Sequence, residues 1–155
     1  MALLGNILWF VFGGGFLLGL FWLFVGLLAC CTIIGFPFGI ACFRVAVFAF
    51  LPFGKQLIPA EYIGEKAVTG STFGNIIWCV FCGLWLAIGH IMYGVGCCCT
   101  VVGIPFGLAH FKIAQAAFAP LGKRIVSKEL AQAAILEYNQ KKLAMMRDQG
   151  NNQSN

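Results

Sequence analysis

Few side chains in this sequence could do chemistry, and their spacing narrows what kind. Arg44 and Lys112 each stand inside a long apolar run, seven residues after a proline. A charge at a bilayer centre costs at least about 2.5–3.5 kcal/mol, so a deep cation needs a carboxylate, carbonyls, water or an anion beside it. No Asp or Glu occurs in any apolar run. Arg44 and Lys112 therefore read in one of two ways. They line a pore or hold an anion, or they snorkel to the headgroups. Eight cysteines include Cys79-Val80-Phe81-Cys82, Cys30-Cys31 and Cys97-Cys98-Cys99. A zinc site needs four convergent nitrogen or sulfur ligands. The CxxC pair sits inside an apolar helix with no acidic or histidine ligand close in sequence. The cysteines thus read as small hydrophobes, and no metal or cofactor is expected. His90 and His110 occur only in the second half, where the aligned positions of the first are apolar, and read as hydrogen-bonded packing residues. Nucleophile–base pairs, phosphate loops and paired acids are missing from the pattern, so no enzyme is expected.

These residues are carried by elements whose class follows from composition. The 155 residues are 61% hydrophobic and 10% charged, with a mean hydropathy of +0.91. A soluble domain averages about 45–50% apolar and about 25% charged. Ordinary soluble enzymes, disordered chains and nucleic-acid binders are thereby excluded, and an integral membrane protein remains. The first 43 residues hold no Lys, Arg, Asp or Glu, and most of the basic residues follow Pro120. That asymmetry places the basic C-terminal region in the cytoplasm. The N-terminus lacks a basic leader with a cleavage site, so its apolar stretch is expected to stay in the protein.

Leu3–Cys31 and Thr72–Cys99 each read as one transmembrane helix, the first tilted. Ile33–Leu51 and Val101–Ala119 are shorter. Each opens on Gly-x-Pro-Phe-Gly and closes at a second proline, Pro52 or Pro120. A helix of about 15 residues covers about 22 Å, less than the ~30 Å hydrocarbon core, so these helices span short, re-enter or lie at the interface. Pro37 and Pro105 suit a first helical turn. Gly35/Gly39 and Gly103/Gly107 have the small-residue spacing that lets membrane helices approach, within the fold or between subunits.

The chain is duplicated. Thr32–Ile58 aligns with Thr100–Val126 at an offset of 68, with 13 of 27 pairs identical. Upstream, Gly5-Asn6-Ile7 and Trp9 recur as Gly74-Asn75-Ile76 and Trp78 at an offset of 69, so one residue was gained or lost between the blocks. Asn6 and Asn75 should cap helices or bond across them. The sequence predicts an all-α membrane protein built from two copies of a two-helix hairpin. It has four membrane helices, the second of each unit short or re-entrant, and a cytoplasmic C-terminal helix. Residues 3–58 form the first repeat, 59–71 a connector, 72–126 the second repeat, and 127–155 a basic helix with a frayed end from Asn151. Ser127 caps that helix, which should end near Arg147, and Glu137 pairs with Lys141. Parallel hairpins put both termini in the cytoplasm, because Lys55 and Lys123 close equivalent Pro-x-Gly-Lys motifs. An inverted arrangement with one crossing per unit is the alternative.

The doubled Gly-x-Pro-Phe-Gly…Phe-[Arg/Lys]…Pro-x-Gly-Lys pattern, each half opened by Gly-Asn-Ile…Trp, resembles the YccF family over about residues 5–126. The resemblance implies a polytopic inner-membrane protein of a Gram-negative bacterium and carries no activity with it. Two functions are expected from the residues. One is a homo-oligomeric channel-like assembly for ions or small solutes, since four helices are too few to enclose a wide pore. The other is a structural or accessory subunit partnered with another membrane protein. The lipid bilayer is the medium in either case, and no nucleic-acid partner is expected.

Overall fold

A computed structural model describes residues 2–66 and 70–153. Helix α1 (Ala2–Phe12) and α2 (Gly15–Cys30) are followed by a tight turn and α3 (Phe36–Phe50). Strand β1 (Lys55–Pro59) and one 3-10 turn (Ala60–Ile63) end the first unit. The second unit repeats the order with α4 (Ser71–Trp78), a π turn (Cys79–Gly83), α5 (Leu84–Cys98), α6 (Ile104–Phe118) and β2 (Lys123–Ser127). Helix α7 (Lys128–Gln153) closes the chain.

The expectation of one helix over Leu3–Cys31 is corrected here. The segment breaks at Gly13–Gly14, and α1 and α2 meet at a 76° bend. Gly14 takes a φ of 75°, which a side-chain-bearing residue adopts at a cost. The break lies where the repeat offset changes. Five residues separate Trp9 from Gly15, and four separate Trp78 from Gly83. The second unit absorbs the difference in a π turn and stays continuous from Ser71 to Cys98, 28 residues and long enough to cross a bilayer. Among the described residues it is the one unbroken helix that long and apolar.

The all-α expectation is corrected as well. β1 and β2 pair antiparallel, in register from Lys55↔Ser127 to Pro59↔Lys123. The central pair, Leu57↔Ile125, joins the same position of the two repeats. Two further bonds of 2.9 Å, Ala60 N–H to Gly122 and Lys128 N–H to Gly54, extend the ladder symmetrically. A pseudo-twofold axis therefore passes through the sheet. Both units end on the same face, the base, and both turns at 31–35 and 99–103 lie at the opposite end, the tip. The sequence hides this pairing because a five-residue strand beside a membrane helix has no partner in its own repeat.

Each hairpin closes on its glycines. A Cβ on Gly39 would overlap Cys30 Sγ and the Gly26 carbonyl, and one on Gly107 would overlap Cys98 Sγ and the Gly94 carbonyl. Pro37 and Pro105 sit in the first turns of α3 and α6. Thr32 and Thr100 fasten the tips by accepting the Gly35 and Gly103 amides at 3.0 and 3.1 Å. Helix α7 begins on the expected cap, with Ser127 Oγ 3.2 Å from the Leu130 amide. It packs Ala131 and Ala134 on Ile58 and stacks Tyr138 on Tyr62 at 4.3 Å. Glu137 and Lys141 pair at 2.6 Å. The helix runs past Arg147 to Gln153, further than expected. Residues 154–155 of the expected frayed end, and 67–69 of the connector, lie outside the described residues.

Candidate functional site

Polar groups inside the hairpins are organised by the duplication. The Asn6 side chain accepts the Phe53 amide at 2.9 Å and donates to the Phe53 carbonyl at 3.1 Å. Asn75 does the same to Leu121 at 3.0 and 3.1 Å. Each amide thus acts as a strand edge for the chain leaving α3 or α6, a backbone stretch with no partner of its own. Of the two expected roles, capping a helix or bonding across to another element, the structure shows the second. Asn75→Ala should lower stability by about 1–3 kcal/mol, because two backbone groups lose their partner at once. Circular dichroism melts of N75A and of the equivalent N6A should show matching falls.

Trp9 Nε1 donates to the Ala49 carbonyl at 2.7 Å, and Trp78 Nε1 to the Ala117 carbonyl at 2.8 Å. Each indole then packs on the motif phenylalanine of the other unit. Trp9 lies 5.9 Å from Phe106, and Trp78 stacks on Phe38 at 5.2 Å. The recurrence of Trp and of Pro-Phe-Gly was visible in the sequence. Their joining across units was not, because it is set by the axis.

Trp22 and His90 occupy equivalent repeat positions and stack on each other with an interplanar angle of 8°. Trp22 Nε1 donates to His90 Nε2 at 3.3 Å, and His90 Nδ1 lies 3.2 Å from His110 Nδ1. A neutral His90 that accepts at Nε2 carries its proton on Nδ1 and donates it to His110. The chain of bonds Trp22→His90→His110 therefore fixes both tautomers. His110 replaces Cys42 of the first unit, so this polar chain exists on one side of the axis. Together with Trp9, Phe48 and Ile113 it seals the interior, where all three are fully buried.

The structure keeps Arg44 and Lys112 out of this interior. Both are exposed side chains of α3 and α6, about two turns before the ends of those helices. Arg44 instead joins Lys55 and Arg124 around a cavity of about 280 Å³ at the corner where α3 reaches the sheet. The equivalent side holds a cavity of about 560 Å³ lined by Gln115, Lys123 and apolar residues of α5 and α6. Burial pushes the Lys123 ammonium below the usual lysine range. Gly35 and Gly103 face the Ala29 and Cys97 carbonyls of their own hairpins. The glycines and phenylalanines of the two Gly-x-Pro-Phe-Gly segments thus serve contacts within a unit or across the axis.

Two apolar hairpins joined through one shared sheet, with charge gathered at the sheet end, define a duplicated helical-hairpin protein with an apolar outer surface. Comparison with known proteins names the kind. The model of the YccF inner membrane component domain matches twice, over residues 4–55 and 73–123. The inner membrane protein YccF of Escherichia coli is 40% identical over 134 residues, covering 83% of this chain and 90% of that protein. The YccF protein of Shigella flexneri matches to the same extent. The chain belongs to the YccF family of inner membrane proteins. No solved structure matches it.

Proposed function

We propose that the chain is a non-enzymatic structural component of an inner-membrane assembly. It would be seated in lipid by its two hairpins, with α7 offered to a partner. One observation carries this reading. The interior along the axis is closed by packed aromatic and aliphatic side chains around the Trp22–His90–His110 chain, and no side-chain nitrogen or oxygen among the described residues is left buried without a partner. A single subunit organised in this way has no polar path through it. Nearly every large side chain on the outside of the hairpins is apolar, as a surface facing lipid or a membrane-protein partner requires.

The topology that supports this reading is a pair of parallel hairpins entering from the cytoplasmic side. The strands that end both units pair with each other, which favours one face over two. Lys55, Lys123, Arg124 and Lys128 cluster at that face, whereas 1–43 and 67–111 carry no charged residue. The positive-inside rule then assigns the base, α7 and both termini to the cytoplasm.

A second reading, the homo-oligomeric channel, is favoured by the exposure of Arg44 and Lys112 at equivalent outer positions. A path would have to run between subunits. Native mass spectrometry of the nanodisc-purified protein, followed by ion flux in liposomes, separates the two. The structural reading expects no flux above that of empty liposomes, with the chain alone or held by a co-purifying partner. A closed multimer whose flux falls on Arg44→Ala would replace it with the channel.

A further inference from the structure

We infer that Arg44, Lys55 and Arg124 form a binding site for the phosphate of an anionic phospholipid in the leaflet next to the sheet. The three cations come from α3, β1 and β2 and line one small cavity with Val47 and Ile125. One carboxylate among the described residues serves this corner. It is Glu65, which accepts from Arg124 Nε at 2.9 Å and pairs with the same guanidinium. Arg44 and Lys55 have no carboxylate partner among the described residues. Lys55 Nζ makes a long 3.5 Å contact with the Val47 carbonyl, which leaves most of its donor capacity free. Partial burial already pushes the Lys55 ammonium below the usual lysine range. Converging cations repel one another and lose hydration, and a bound anion offsets both effects. Arginine adds a planar fork that matches two phosphate oxygens.

The flank of the cavity favours a lipid over a free anion. Arg44 interrupts an exposed apolar stripe of α3. Phe36, Ile40 and Val47 on the same stripe are 54%, 39% and 55% exposed. A phosphate held at the base would lay its acyl chains along Val47, Ile40 and Phe36 toward the tip. At about 280 Å³ the cavity falls just below the roughly 300–1,000 Å³ of sites for drug-sized molecules, a size suited to a headgroup phosphate. The duplication supplies a comparison within the molecule. The equivalents of Arg44, Lys55 and Arg124 are Lys112, Lys123 and Gln56, so the mate corner has two lysines and no arginine.

The test compares the purified protein reconstituted with phosphatidylglycerol and with phosphatidylcholine, and native mass spectrometry counts the retained lipid. Phosphatidylglycerol should be retained in preference. Arg44→Gln should weaken its retention about fivefold, and Arg44→Gln with Lys55→Gln about twenty-fivefold, from the usual contribution of one cation near an anionic surface. Lys142→Gln, exposed on α7 away from both corners, should leave it unchanged. Because Arg44 is exposed, an unchanged circular dichroism melt in phosphatidylcholine would show that R44Q still folds. Equal retention of the two lipids, or variants that bind as well as the parent chain, would overturn the site. Displacement of the lipid by an equal concentration of inorganic phosphate would also overturn it, and would reassign the corner to a free anion.

Discussion

Trp22→Ala should lower the thermal unfolding midpoint by at least about 10 °C. Trp22 is fully buried and stacks on its own repeat equivalent across the pseudo-twofold axis. Truncation of a buried aromatic costs about 3–5 kcal/mol, and each kcal/mol moves the midpoint of a chain this size by about 2–4 °C. Truncation also removes the donor to His90 Nε2, leaving a buried acceptor whose desolvation costs about a further 1–3 kcal/mol. Trp85→Ala is the control, because Trp85 is 68% exposed on the outer face and its loss should move the midpoint by less than about 2 °C. The symmetry adds a sharper check. Exchanging the pair, as Trp22→His with His90→Trp, rebuilds the stack across the axis but turns the imidazole toward Cys42 instead of His110. Circular dichroism should then show partial recovery. No recovery would mean that the axis is not a true repeat axis in the folded protein.

Much of this was legible in the sequence, and the limits are physical. The repeat offsets, Asn6 with Asn75, Trp9 with Trp78, and the paired Gly-x-Pro-Phe-Gly motifs were all visible, because identity at a fixed spacing needs no structure. Their partners were not. A duplicated sequence says which residues are equivalent, whereas contacts across an axis depend on how the copies dock. Leu57↔Ile125 and Trp22–His90 lie at an offset of 68 and touch, but any of the aligned positions could have lain on the axis. The break at Gly13–Gly14 was signalled by three consecutive glycines and by the changing offset. In a wholly apolar run, length and hydropathy outweighed both signals and suggested one continuous helix. The strands were missed because Lys55–Pro59 and Lys123–Ser127 are each five residues long and acquire a ladder only from the other copy. Arg44 stands out in the sequence by its charge, whereas its company with Lys55 and Arg124 comes from the same inter-repeat docking.

Labelling should find both tips protected by lipid and the base accessible from the cytoplasm. Helix α3 has 15 residues and α6 the same number, so each covers about 22 Å of a ~30 Å hydrocarbon core. The longer Ser71–Cys98 arm is tied to the end of α6 through Asn75 and Leu121, so the shorter arm sets the depth, and in the proposed topology a hairpin held by its basic base at one headgroup layer ends inside the hydrocarbon. The composition of the tips agrees. Ile33, Ile34, Val101 and Val102 are 96%, 78%, 85% and 80% exposed, which in water would leave an apolar knob on each hairpin with no charged neighbour. The tip backbone can tolerate that depth because the Thr32 and Thr100 hydroxyls and the helix-ending carbonyls bond the turns internally. The exposed native thiols Cys31 and Cys99 flank the turns, and Ile33→Cys adds one at an apex. A membrane-impermeant maleimide should modify none of them in intact or lysed spheroplasts and all of them in detergent. Asn139→Cys on α7 should react in lysed spheroplasts and not in intact ones. Modification of the tip thiols in intact spheroplasts would mean that the hairpins emerge in the periplasm and each arm crosses fully. Modification of the α7 thiol there would reverse the orientation. Tip labelling thus tests the depth of the hairpins and α7 labelling their orientation, each independently of the other.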